Sequence, residues 1–366
     1  MSDNPLLTFP DFAVYSKSTQ RILLSLEAWF ARMFVSLAIP EFIIASVGLI
    51  INIFHLFVLT RKSMRTSSIN VLLIGTAICD LYIMMYTCYD RIILFLISWD
   101  DCWNTSTYYR VVFDFFTGGL KESVRRVSAW LGVTIALVRL LIIKNPLDSK
   151  YEHLSRPSFA WKLFLFLQFL SALPTVFYLV HTEVIEVSYP WVASENCSML
   201  PIDYTDKQFM TILSDSLFDP MLTARVLFYI DGTSKIIPAA LFPILTFLLI
   251  RELKIASANR RKLKNQQKTE KDHTTRMVLF MTVACMIAEG PLGFVYMAQG
   301  FVLDKPGFYS ITYNLSYILN IFVAINSSTH FIICITISSQ YQSCVKSLMG
   351  CGRKQKSVRF QDTLGM

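Results

Sequence analysis

Seven stretches of apolar sequence, each near the length that crosses a lipid bilayer, constrain this chain more than any motif in it. A hydrocarbon core about 30 Å thick takes roughly 20 mainly apolar residues as a helix. Such stretches run over 34–59, 69–97, 115–143, 163–179, 226–250, 277–302 and 309–337. The third is interrupted in its outer turns by Lys121, Glu122, Arg125 and Arg126, and the fourth is short. Only 16% of the residues are charged, against roughly 25% in an ordinary soluble domain. This excludes a disordered regulator and argues against a water-soluble enzyme. The expected fold is an all-α membrane protein, a seven-transmembrane helix bundle without internal repeats.

The charges outside the spans set the expected orientation, because Lys and Arg collect in cytoplasmic loops. With the N-terminus outside, the cytoplasmic segments carry +15 and the outer segments −7, which together give the +8 of the chain. Three parts follow: an extracellular N-terminus over 1–33, the seven-helix domain over 34–337, and a cytoplasmic tail over 338–366 that opens with a short amphipathic surface helix. Residues 1–20 show neither a basic n-region nor an apolar h-region, so the first span is expected to serve as its own insertion signal. The basic residues are divided among separate loops and form no single face, which argues against a nucleic-acid partner.

Of eight cysteines, only Cys102 and Cys197 fall on the outer side, where disulfides persist. A bond between them is expected to tie the loop before the third span to the long outer loop over 180–225. Asn-x-Ser/Thr acceptor sites at Asn104 and Asn196 lie on that same side, and Asn104 is the better placed, because Asn196 adjoins a bridged cysteine. Similar triplets at Asn314 and Asn326 fall inside the last span and are read as accidental. Cys351, followed by a basic cluster, is either a palmitoylation site that draws the tail to membrane lipids or a free thiol.

Ionisable groups inside a bilayer are expensive and mark functional or packing devices that face the bundle interior. Asp80 stands in the second span, Arg139 at the inner end of the third and Glu289 before Pro291 in the sixth. Lys121, Arg125 and Ser128 follow i, i+4, i+7 on one face of the third helix, with Glu122 and Arg126 on the neighbouring face. That helix is expected to line a cavity open to the outside, its charges serving ligand contact or mutual salt bridges. Pro291 removes a backbone donor and is expected to kink the sixth helix, with Pro174, Pro238 and Pro243 as further candidates.

These residues resemble the rhodopsin-like (class A) G-protein-coupled receptors. Asn52 closing the stretch 48–52, Asp80 in 73–81, Arg139 in 136–147 with Pro146 downstream, and the pair Gly290 and Pro291 carry the likeness. The stretches 125–132, 326–334 and 338–341 look most like the nematode serpentine chemoreceptors of class W, relatives of FMRFamide-type peptide receptors. The resemblance implies a plasma-membrane receptor for a neuropeptide or chemosensory ligand, signalling through a heterotrimeric G protein. Ligand contacts are expected at Lys121, Glu122, Arg125, Glu289 and Gln299, and coupling and switching at Arg139, Pro291, Asp80, Asn326 and His330.

Several positions depart from that pattern. Val138 replaces the acid before the arginine, Glu289 stands at the place of the tryptophan switch, and His330 and Cys334 replace the Asn and Tyr of the last-helix motif. An ion pair between Arg125 and Glu289 is expected in place of the tryptophan. Asp80, Ser128, Asn326 and Ser327 match a sodium-binding cluster, with Arg125 as an alternative counter-charge. No lysine in the seventh span serves a retinal Schiff base. No catalytic motif, cofactor site or metal-ligand spacing is present. A transporter or channel is the competing class, since intramembrane charges also mark ion paths, but inverted repeats and paired broken helices are missing.

Overall fold

A computed structural model describes residues 12, 14–99, 102–145, 148–193, 197, 199–201, 204–215, 218–263 and 270–349. The long helices among them are α1 (Lys17–Leu59), α2 (Ser68–Trp99), α3 (Tyr108–Lys144), α5 (Pro157–Val180), α6 (Pro220–Leu263), α7 (Glu270–Val302) and α8 (Pro306–Ile337). Two short helices, α4 (Ser149–Glu152) and α9 (Ser339–Leu348), follow α3 and α8. Six of the long helices, α1, α2, α3, α5, α6 and α8, are long and apolar enough to cross a membrane. At 1.5 Å per residue, the 33 residues of α7 extend about 50 Å.

The helices form a ring in which α1 touches α2 and α8, α6 touches α7, and α7 touches α8. Helix α3 packs against α2, α5 and α6 and so stands inside. Its Val124, Val127, Leu131, Ile135 and Val138 recur at three- and four-residue steps and are buried with Leu72, Ile74 and Met84 of α2, the stripe that a 3.6-residue period lays on one face. Helix α5 is peripheral. Its Leu165, Phe166, Phe169 and Leu173 are exposed, as apolar side chains are where the surrounding solvent is lipid. The shortness expected of the fourth span is made up by a Pro157 start and 24 helical residues.

Two expected boundaries move. Ser16 caps α1 by accepting from the Thr19 backbone N–H, and no glycine or proline interrupts the chain before Pro40. The helix therefore begins well ahead of position 34 and runs 43 residues, about 65 Å. Likewise α6 continues to Leu263 through a run of Arg, Glu, Lys and Ala, good helix formers, so much of the basic segment over 251–276 is helical. In the long connection between α5 and α6, residues of alternating character at Thr182–Glu186 (β1) and Phe209–Leu213 (β4) pair antiparallel, Thr182 opposite Leu213 and Glu186 opposite Phe209. Trp191–Val192 (β2) and Thr205–Asp206 (β3) extend the same ribbon.

The ribbon is fastened at its far end by the Cys102–Cys197 disulfide, with Cα atoms 5.3 Å apart, as the sequence led one to expect. The segment before α3 runs beside it: the Phe209 N–H donates to Ser106 O at 2.8 Å, and Tyr108 meets Phe209 edge-on. At the other end of the bundle, α9 turns back against α1. The Tyr341 hydroxyl and His55 Nδ1 are 2.9 Å apart, and both residues are buried.

Candidate functional site

Between the ribbon and the helix ends lies a cavity of about 500 Å³. Tyr86, Lys121, Glu122, Arg126, Asp231 and Tyr309 are among the groups that wall it, with Leu213 of β4 at its edge. Residues 121 and 122 are neighbours on α3 and so project in directions about 100° apart. Lys121 lies over the Tyr86 ring at 4.8 Å and holds Glu122 Oε1 at 3.0 Å, whereas Arg126 turns toward α5 and α6. Its Nη2 donates to Thr175 Oγ1 at 2.9 Å, and its Nη1 meets Asp231 Oδ1 at 3.3 Å. Thr175 in turn donates to Gly119 O at 3.2 Å.

Of the expected ligand contacts, Lys121 and Glu122 reach this cavity; Arg125, Glu289 and Gln299 do not line it. They lie deeper. Gln299 is 1% exposed and donates to Ser316 Oγ at 3.4 Å. The expected Arg125–Glu289 ion pair is replaced by another arrangement. Arg125 Nη1 points to Glu122 Oε1, one turn earlier on its own helix, at 3.9 Å, and Glu289 acts on it only at longer range. The ion pair that joins α3 to α6 is Arg126–Asp231, because position 126, not 125, faces α6.

Sequence reasoning passed over Asp231 and Lys235. Lys235 is 1% exposed; its Nζ donates to Asp231 O at 3.4 Å and lies 4.4 Å above the Tyr296 ring. The signal was present: an acid and a base four residues apart inside an apolar stretch, the spacing already noticed on α3. Glu41 and Arg91, which join α1 to α2 at 3.6 Å, were passed over in the same way.

Further in, Asp80 is 2% exposed and accepts from Ser128 Oγ at 3.5 Å. His330 Nε2 stands 3.9 Å from its other oxygen. His330 is thus the longer side chain that α8 turns toward Asp80. Asn326 is half-buried and accepts from Thr329 Oγ1 through its carbonyl at 2.7 Å. Among the described residues, no group of three or more His, Cys, Asp or Glu side chains is placed to hold a metal ion.

At the opposite end of the bundle, a cavity of about 380 Å³ is bounded by Arg139, Asn70, Leu249, Cys334 and Tyr341. With Val138 apolar, no carboxylate among the described residues pairs with Arg139. Helix α7 passes through Pro291 as one helical element.

Asn104 is engaged by its surroundings. It is 7% exposed, and its Nδ2 donates to Asp206 Oδ2 and to Lys207 O, both at 3.0 Å. A sugar on that nitrogen would take the place of one of those hydrogens. The sites at Asn196 and Cys351 lie outside the described residues.

The profile of the family described as serpentine type 7TM GPCR chemoreceptor Srw matches residues 39–352. The G-protein coupled receptor dmsr-1 of Caenorhabditis elegans is 24% identical over 341 residues, covering 81% of this chain. The match spans 64% of that relative's own length.

Proposed function

Because the chain belongs to the Srw family of serpentine seven-transmembrane G-protein-coupled chemoreceptors, we propose that it carries an extracellular signal across the plasma membrane to a heterotrimeric G protein. The family is one of receptors, not of enzymes, and its members are multi-pass membrane proteins. In this reading all seven long helices span, the N-terminus is outside, and α9 lies on the inner membrane surface. The observation that carries it is the pair of cavities at opposite ends of one bundle, the outer holding Lys121 and Glu122, the inner holding Arg139.

Below Arg126 and Asp231 of the outer cavity wall lie the buried charges of Arg125, Lys235 and Glu289. A ligand bound better by one arrangement of these charges shifts the population toward it, and the inner cavity widens around Arg139 for the G protein. The outer cavity lies within the roughly 300–1,000 Å³ of small-molecule sites. The net negative outer segments favour a cationic ligand, such as an amidated peptide carrying arginine.

The test is G-protein activation in cells expressing the chain, challenged with pooled amidated peptides and separately with small odorants. A response abolished by Arg139→Ala, with surface expression intact, is the expected result. Ionic current or uptake without any G-protein signal would replace the receptor reading with a transporter.

A further inference from the structure

The outer cavity has an uncharged side as well as a charged one. Ala224, Leu227 and Phe228 of α6, Leu303 of the turn after α7 and Tyr309 of α8 form it. Apolar surface at the mouth of an open cavity gains from being taken out of water.

The segment ahead of α1 comes to this side. Phe12, the first described residue, is 1% exposed, whereas Val14 is 96% exposed. The Phe12 ring meets Phe308 edge-on with centroids 5.3 Å apart, and Tyr15 meets the same ring at 6.0 Å. The Tyr15 N–H donates to Phe12 O at 3.0 Å, so the chain turns here before entering α1. Phe308 belongs to the first turn of α8. Its neighbour Tyr309 lies 6.0 Å from Phe228 in the cavity wall. The chain is thus pinned to one side of the helix whose other side bounds the cavity.

Ahead of this pin the sequence carries Leu6, Leu7 and Phe9 and no lysine or arginine. Extended chain advances about 3.3 Å per residue. Phe9, three residues before Phe12, therefore reaches about 10 Å, the width of one helix, and Leu7 and Leu6 reach about 17 and 20 Å. Pro10 biases Phe9 toward extended backbone. The pin, the reach and the apolar side chains together suit a segment that crosses the end of α8 and enters the cavity.

We propose that the segment over 5–11 folds across α8 and lies on the uncharged side of the outer cavity as a built-in cover, with Phe9 beside Leu303 and Tyr309. The short tether to Phe12 keeps the cover at high local concentration, so an incoming ligand competes with it. A molecule that gains only apolar contact is kept out, and one that also engages Lys121 and Glu122 on the charged side is admitted. The proposal rests on the reading that this end of the bundle faces outside the cell; it requires neither an identified ligand nor a G protein.

Cysteine accessibility in intact cells tests it. Ala224→Cys places a thiol in the cavity wall, and its labelling by a membrane-impermeant cationic thiol reagent is timed above the background of the parent chain. A cover in place nine-tenths of the time slows labelling about tenfold. Deleting residues 2–11 is expected to restore that factor, and so is replacing Leu6, Leu7 and Phe9 together by Ser at unchanged length. Val192→Cys on the exposed ribbon is expected to label at one rate in all three backgrounds. If the shortened chain fails to reach the surface, a disulfide between Phe9→Cys and Leu303→Cys in the full chain, found by mass spectrometry of the linked peptides, supports the cover by itself. Equal Ala224→Cys labelling in all three backgrounds, or no such cross-link under mild oxidation, overturns the proposal and leaves the receptor reading standing. Labelling of Val192→Cys only after permeabilisation would instead overturn the orientation, and the cover with it.

Discussion

Arg126 and Asp231 are 4% exposed and largely buried, respectively, and each is the other's closest opposite charge. Breaking such a pair by neutralising one partner leaves the second charge in the interior, which costs about 3–5 kcal/mol. Asp231→Asn is therefore expected to lower the thermal midpoint and surface level sharply, and exchanging the two residues to recover part of the loss. Equal loss in the single variant and the exchange would show that the pair itself contributes nothing. At this scale the sequence was informative about residue type and poor about direction. That Lys121, Arg125 and Arg126 must be interior follows from the cost of charge in lipid. Which neighbour each one meets depends on helix rotation, and a single residue step, 125 against 126, moves a side chain about 100° from α7 toward α6.

Helices α6 and α7 meet along glycines. A Cβ placed on Gly293 comes 3.0 Å from Gly232 O and 2.8 Å from Ile236 Cγ1, the first of these a backbone atom that cannot turn aside. One on Gly232 comes 3.0 Å from Gly293 O. Small residues that let two backbones approach this closely are a common device for joining helices in lipid, where apolar burial drives little. Gly293→Ala is expected to force the helices apart and cost about 1–3 kcal/mol, read as a lower thermal midpoint in detergent, while Ala at half-buried Gly290, where the nearest atom is 3.8 Å away, is expected to be nearly silent. Element existence was plain from hydropathy, since all seven apolar stretches coincide with long helices. Element ends were not. Hydropathy marks the part of a helix suited to lipid, and α1 and α6 continue beyond it on caps and propensity alone. The ribbon over 182–213 was hidden because its strands are short and flanked by acids, features that read as loop.

Across the whole molecule, one covalent link organises the ribbon end of the bundle. The Cys102–Cys197 bond closes 95 residues, a separation for which loop-closure entropy gives about 4.7 kcal/mol. Cys102→Ser is expected to lower the thermal midpoint and to make the outer ribbon susceptible to protease; an unchanged midpoint with and without reductant would remove the bond from any account of stability. The pairing was legible because sorting the cysteines by compartment leaves no other partner for either residue. The contact of Asn104 with Asp206 and Lys207 was not, because it joins segments whose meeting depends on that same bond.

The glycine seam has a mechanical consequence. From Gly232 to the end of α6 at Leu263 the helix extends about 46 Å at its ordinary rise, with the close contact near one end and the basic tip at the other. A tilt of about 10° at the glycines carries that tip through roughly 8 Å over such a lever arm. A displacement of a fraction of an ångström beside the outer cavity is therefore enough to move the far end by more than the width of a side chain.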